Sequence, residues 1–370
     1  MRVNAFVTAT VEAAADRFTM KANAKLTIYD VARRANASPS TVSAALNGSW
    51  KARRISAETV ERIQQVALEL GYSANLQARG LRKARSGLVG MILPAHDNRF
   101  FAALSQAFTA EARTRDQVPV IISTQRDALQ EADAVRRLVG YAVDAIMFVG
   151  TTAPSALSAL CREAGVAHVF VDQPSADAPS VVSDNVAGVR GLALALLDRA
   201  RPDAASGIVF LGGDDRLYAT AQRIKGFREA LATHGRTPAA DQIIACGYRR
   251  DDARKALASL YHRLGGLPPA LLVNSIDCLE GALEFLKEIP DDAIAACHLG
   301  VWDHDPLGEL WRFPVLMVRQ RAGGLVRHAY RSLDRREKGA TLTLIEPELI
   351  VPPAPRRRWP EAGSSQAAAP

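Results

Sequence analysis

The chain is 370 residues long, 48% hydrophobic and 23% charged, a balance that fits two or three folded domains and excludes wholesale disorder. No apolar run reaches the roughly 18 residues of a membrane span, and Glu12, Asp16 and Arg17 break up any secretory-type apolar stretch near the N-terminus. The net charge of +7 is localised: residues 21–85 carry twelve Lys and Arg against four acids, so the rest of the chain sums to −1, which favours a polyanionic partner over a merely solvated basic face.

Residues 1–26 are Ala-rich and weakly periodic, and are expected to form a disordered arm, with Met20 an equally good start. The pattern sharpens at Thr27-Ile-Tyr-Asp30, an acidic capping box that opens a helix with Ile28, Val31, Ala32 and Ala35 on one face. Asn36 tolerates a left-handed turn, and Ser38-Pro39 supplies the cap and first residue of a second helix through Leu46, ended by Asn47-Gly48. A third helix runs from Ser56 through Val60, Ile63, Val66 and Ala67 to the stop at Gly71. Two helices joined by about four residues and closed by a third predict an all-α helix-turn-helix DNA-binding domain over residues 27–73.

Residues 74–86 are short, polar and basic, read as hinge and linker. From Gly87 the grammar becomes strand–helix alternation. Strands are predicted at Leu88–Leu93, Val118–Ser123, Ala145–Val149, Val166–Val171, Gly207–Leu211, Ile243–Cys246, Ala270–Val273, Cys297–Val301 and Val315–Val318. That rhythm specifies parallel sheets covered by helices, and the length calls for two α/β lobes over residues 87–351. Ligands of such sheets bind beyond the carboxyl ends of the strands, here the cleft between lobes. The tail 352–370 is Pro-, Ala- and Arg-rich and expected to be disordered. Cys161, Cys246, Cys278 and Cys297 are scattered, without Cys-x-x-Cys or metal-spaced His, so reduced structural cysteines in a cytoplasmic protein are expected, with no metal and no cofactor.

The run TIYDVARRANASPSTVSAALNG followed by RRISAETVERIQQVALELGYSANLQARGLRKARSGLVGMILP resembles the LacI-type bacterial transcriptional repressors. Similarity continues through VVSDN (181–185), FLGG (210–213), RIKGF (223–227), LEGAL (279–283) and PVLMVRQ (314–320). The NGSWKARRIS connection, the ARGLR hinge text and NSIDCLEGAL resemble the fructose-repressor branch. The resemblance implies a periplasmic-binding-protein-like core that binds an effector, a sugar or sugar phosphate, and a homodimer on near-palindromic operator DNA.

By position in the family motif, Pro39, Ser40 and Ala44 face bases, while Thr27, Ser38, Thr41, Ser43 and Asn47 suit phosphate oxygens. All three base-facing residues are small, so direct readout should be weak. Tyr29, Arg54 and Tyr72 match further DNA-touching positions. For any single Ser or Thr, plain helix capping is the competing explanation. In the hinge, Leu81 matches the minor-groove wedge and Arg82 the adjacent groove-binding cation, against the alternative of a plain basic linker. For the effector, the resemblance implies Asp97, Asn98, Phe101, Asp172, Arg223, Ser275, Asp303 and Gln320, with Asp305 competing with Asp303 and a structural hydrogen bond competing with each. Arg223 suits hydroxyls or phosphate. Asp172-Gln173 stands where the family often has Asp-Arg, so a second cation is missing there.

Leu211-Gly-Gly-Asp-Asp215 looks like a cyclase signature but ends a predicted strand, and no nucleophile elbow, zinc-protease helix or phosphate loop occurs, so no catalytic residue is expected. A secreted sugar binder would have no use for residues 27–82, and an α/β enzyme would need a reactive group. An effector-controlled transcriptional repressor is the reading that uses the whole chain.

Overall fold

The computed structural model describes residues 26–46, 48–72, 85–200, 207–311, 313–337 and 339–352. The expectations for Asn47, for Leu81 and Arg82 in the hinge, and for most of the N-terminal arm and the tail fall outside these residues. The chain divides into two units, residues 1–86 and 87–370.

In the first unit, α1 (Ile28–Arg34), α2 (Pro39–Leu46) and α3 (Ala57–Glu69) enclose Val31, Ala32, Ala35, Val42, Ala45, Val60, Ile63 and Ala67. The three- and four-residue spacing of these side chains gives each helix one apolar stripe. The carboxylate of Asp30 accepts from the Thr27 backbone N at 2.9 Å and from its hydroxyl at 2.7 Å, fixing the start of α1. Asn36 takes the left-handed turn (φ 46°) between α1 and α2. Ser56 caps α3 by accepting from Thr59 N at 3.3 Å.

The second unit holds two six-stranded sheets. β1 (Leu88–Leu93), β2 (Val118–Ser123), β3 (Ala145–Val149), β4 (Ala167–Val171), β5 (Ser180–Ser183) and β11 (Leu342–Ile345) form the first, in the order β11-β5-β4-β3-β1-β2. β6 (Ile208–Leu211), β7 (Ile243–Ile244), β8 (Ala270–Val273), β9 (His298–Trp302), β10 (Val315–Arg319) and β12 (Glu348–Ile350) form the second, in the order β12-β10-β9-β8-β6-β7. All ladders are parallel except β10 with β12.

The first lobe is filled by α4 (Arg99–Thr114), α5 (Ala128–Gly140), α6 (Pro154–Glu163) and α12 (Ala322–Asp334). The second is filled by α7 (Asn185–Arg199), α8 (Tyr218–Ala232), α9 (Arg250–Leu264) and α10 (Ile276–Leu286), with the short α11 (Asp291–Ala295) beside them. The chain therefore crosses between lobes three times: between β5 and α7, between β10 and α12, and between β11 and β12.

Two close helix contacts fall within stretches noted in the sequence. A Cβ on Gly226, in RIKGF, would strike the Val186 carbonyl oxygen of α7, and one on Gly281, in LEGAL, would strike that of Arg250 in α9. No helix among the described residues is long and apolar enough to cross a membrane.

Three strands were not expected from the sequence. β5, β11 and β12 are short, and β11 and β12 are edge strands with exposed apolar residues rather than buried runs. β7 stops at Ile244 because Cys246 N turns back to the Ile244 carbonyl at 3.1 Å and Gly247 adopts φ 87°.

Candidate functional site

On the first unit, Thr27, Ser38, Ser40 and Arg54 are exposed, Tyr29 is 66% exposed, and Pro39, Thr41 and Ser43 are half-buried. The hydroxyls of Ser38 and Ser40 lie 2.7 Å apart, those of Ser38 and Thr41 2.8 Å apart, and Ser38 accepts from Thr41 N at 3.1 Å. Capping and a hydroxyl cluster therefore coexist at the N-terminus of α2. An incoming phosphate oxygen would meet several hydroxyl donors beside the partial positive charge of a helix start.

Ala44 and Tyr72 differ from each other in burial. Ala44 is 1% exposed. It borders the Val42–Ala45 core stripe of α2, and an alanine methyl projects too little to clear its neighbours, so this surface does not offer it to bases. Tyr72 is half-buried against the three-helix core, its backbone N bonded to the Ala67 carbonyl at 2.8 Å.

In the second unit, the carboxyl ends of strands from both sheets converge on one cleft. Asn98, Phe101, Asp172, Arg223, Ser275, Asp303 and Gln320 all line it. Asp97 does not, and is exposed. Asp172 and Asp303 each follow a central strand directly, and both take left-handed backbone conformations, at φ 70° and 95°. Such conformations cost about 1–3 kcal/mol for residues other than glycine, and they aim both carboxylates into the cleft. Asp305 instead pairs with Arg99 at 3.2 Å and caps a short helical turn through Leu307 N at 2.9 Å, which settles the competition for the lining position in favour of Asp303.

Arg223 is 4% exposed and is held from three sides. Nε donates to Asn185 Oδ1 at 2.8 Å, Nη1 donates to the Asn274 carbonyl at 2.8 Å, and the guanidinium lies 4.4 Å from the Trp302 ring centre. Gln320 donates to Asp303 at 2.7 Å and accepts from the Ser183 hydroxyl at 2.7 Å, joining the strand ends at two of the chain crossings. Burial pushes the Asp303 carboxyl up to about 6, although the Arg223 charge, the Gln320 bond and the Ile276 backbone bond pull it down. Burial likewise raises Asp172 against the pull of Arg223 and Arg126. Asp277 is raised by burial against the Asn98 hydrogen bond and the charges of Arg250 and Arg126.

Phe100, Arg126, Thr151, Gln173, Tyr248 and Asp277 also line the cleft and were not anticipated as site residues. Arg126 and Tyr248 follow β2 and β7, so the rule that placed the cleft at strand ends would have found them. Asn274, next to the anticipated Ser275, is fully buried, and neither of its side-chain amide atoms has a hydrogen-bond partner among the described residues. The lobes already touch across the cleft, where Asn98 donates to Asp277 at 3.0 Å. Among the described residues no cluster of His, Cys, Asp and Glu suits a metal ion.

Two family models match the chain. That for bacterial regulatory proteins of the lacI family covers residues 27–75, and that for periplasmic binding proteins and the sugar binding domain of the LacI family covers residues 86–288. The ribitol operon repressor of Klebsiella aerogenes is 43% identical over 192 residues, which are 51% of this chain and 71% of that protein. The sucrose operon repressor of Klebsiella pneumoniae is 30% identical over 314 residues, 84% and 92% of the two chains. Among solved structures, the lac repressor dimer bound to operator and the anti-inducer ONPF has a TM-score of 0.75 at 21% identity, covering 88% of this chain and 98% of that one. The Cra transcriptional dual regulator from Pseudomonas putida, in complex with fructose 1-phosphate, has a TM-score of 0.64 at 22% identity, covering 72% and 99%.

Proposed function

The chain belongs to the LacI family of bacterial transcriptional regulators, DNA-binding repressors controlled by small effectors, and from that premise we propose that its effector is an uncharged sugar or polyol rather than a sugar phosphate. The observation that carries this is the charge of the cleft. Among the described residues Asp172, Asp277 and Asp303 line it against Arg126 and Arg223 alone, and Arg223 already spends Nε and Nη1 on Asn185 and Asn274. A phosphate monoester would bring about 1.5–2 further negative charges beside three carboxyls. Hydroxyl groups suit the same set, donating to carboxylates and accepting from guanidinium, while Phe101 and Tyr248 offer apolar faces to the carbon chain.

The match to the ribitol operon repressor, at 43% identity over 192 residues, supports a polyol-type effector. The fructose-repressor branch rests on the sequence resemblance alone, since the likeness to Cra, at 22% identity, speaks for the fold. The rest of the reading is a cytoplasmic homodimer on near-palindromic DNA. The first unit grips phosphates through Thr27, Ser38, Thr41 and Ser43, with Tyr29, Pro39, Ser40 and Arg54 beside them. Effector in the cleft changes operator affinity by the roughly 5–150-fold typical of allosteric coupling, about 1–3 kcal/mol.

The test is a calorimetric panel of five- and six-carbon polyols and ketoses alongside their phosphate monoesters, titrated into the full chain. The expected result is heat from a neutral compound and much weaker binding of its phosphate. Tight binding of phosphate esters alone would overturn the proposal.

A further inference from the structure

Gln125 and Arg126 are consecutive non-glycine residues in the left-handed region, at φ 51° and 59°. Each holds its Cβ against the following carbonyl oxygen, a crowding that ordinary backbone avoids. The strain is held by the flanking bonds of the loop after β2. Gln125 N donates to the Pro94 carbonyl at 2.8 Å and Asp127 N to the Thr124 carbonyl at 2.8 Å, while the Asp127 carboxylate caps α5 through Leu129 N and Gln130 N.

The strained pair delivers the Arg126 side chain to the cleft. Its guanidinium lies 5.9 Å from the ring centre of Phe101, on its own lobe, and 5.0 Å from that of Tyr248, on the other. Among the described residues it makes no hydrogen bond or ion pair; burial raises Asp172 and Asp277, and the Arg126 charge is among those that oppose the rise. The two arginines of the cleft thus differ in kind: Arg223 is tied into the fold, and Arg126 has its donors to spare.

We propose that Arg126 is an effector-binding residue that supplies, from the loop after β2, the second cation lacking at Gln173, and that it grips ligand hydroxyls against Tyr248 so that ligand ties the lobes together. The geometry fits that role. Arg126 and Gln173 line the same cleft from strand ends of one lobe, and a guanidinium stacked on an aromatic face keeps its edge N–H groups free for paired oxygens. The inference rests on the cleft being a polyol or sugar site.

The test uses the full chain and the compound of the neutral panel that binds the wild type most tightly. Arg126→Gln is expected to weaken that binding by about 10–100-fold, the usual loss for hydrogen bonds from a charged group. Its melting temperature should stay close to the wild-type value, because among the described residues the side chain makes no hydrogen bond or ion pair and gives up only its ring contacts with Phe101 and Tyr248. Adding Gln173→Arg to Arg126→Gln should restore at least about a third of the lost affinity on a logarithmic scale, a rescue that a structural role would not give. Unchanged affinity in Arg126→Gln overturns the proposal. So does a loss of affinity that comes with a lowered melting temperature and is not rescued. Failure of the wild type to bind any neutral compound overturns the polyol reading, and this inference with it.

Discussion

Replacing Asp303 by Asn tests the electrostatics of the cleft directly. Folded, the carboxyl keeps its proton up to about pH 6; unfolded, it returns to its ordinary 3.8. The folded state therefore binds the proton more tightly, and the stability this contributes is lost as pH rises from about 4 to about 6. The difference corresponds to ~3 kcal/mol above pH 6, an upper figure because Asp172 titrates nearby. An asparagine side chain at this position carries no titrating charge, still accepts from Gln320, and gives up only the 3.4 Å bond from Ile276 N. Relative to wild type, the variant should gain melting temperature as pH rises from about 4 to about 6 and keep the gain above that, at about 2–4 °C per kcal/mol. Effector affinity should move the other way. Wild type should bind more weakly below pH 6 as the carboxylate that accepts a ligand hydroxyl becomes protonated, and the Asp303→Asn protein should bind weakly at every pH. Differential scanning fluorimetry of both proteins across this range reads the first effect, and a constant difference in melting temperature would refute the argument.

Ile63 is fully buried at the centre of the three-helix unit, so Ile63→Ala should cost that small unit about 2–5 kcal/mol; calorimetry should show its transition lowered and that of the second unit unmoved, with DNA binding lost and effector binding kept. Gly226→Ala should destabilise the second unit by about 1–3 kcal/mol in urea titrations, because the new methyl meets the rigid Val186 carbonyl, whereas Gly266→Ala, with nothing nearby, should not. The basic surplus of eight in residues 21–85 predicts that binding to a random-sequence duplex falls by at least about 10³-fold between 50 and 200 mM salt, and a shallow slope in a fluorescence titration would count against phosphate contacts by this segment.

What could be read from the residues follows from physics that differs between elements. β1, β2, β3 and β8 matched their expected limits because parallel strands are continuous apolar runs bounded by turn residues. The Thr27–Asp30 box and the Asn36 turn were legible because capping and left-handed backbone demand particular short side chains. β5, β11 and β12 were not, since pairings of three or four residues made with distant segments leave almost no periodic signal. In the cleft, the residues carried over from the family pattern all line the pocket except Asp97; Asp172, Ser275, Asp303 and Gln320 do so from strand ends, Asn98 as a helix cap, and Phe101 and Arg223 from within helices. Arg126, just past the end of β2, was within reach of the strand-end rule but lay outside the family pattern that supplied the expected site residues. The burial of Ala44 has a simpler reason: a motif position says which way a side chain points, and alanine is too short to project past its neighbours.

The pairing of β5 with β11 joins Val181 to Thr343 and Val182 to Leu344, segments that have most strands of the second lobe between them in the chain. On the ribosome, the first lobe starts early and must wait for almost the whole chain before its sheet acquires that edge strand, whereas the helical unit of residues 27–72 needs only its own local contacts. DNA-gripping machinery is thus ready long before the sensor that governs it can close its fold. During that interval the buried valines of β5 present an unpaired edge, a place where another chain can dock in error. Expression yield should therefore respond to slowing translation before residue 342 more than to slowing it elsewhere, and truncations that remove β11 should aggregate even though every effector-lining residue precedes it.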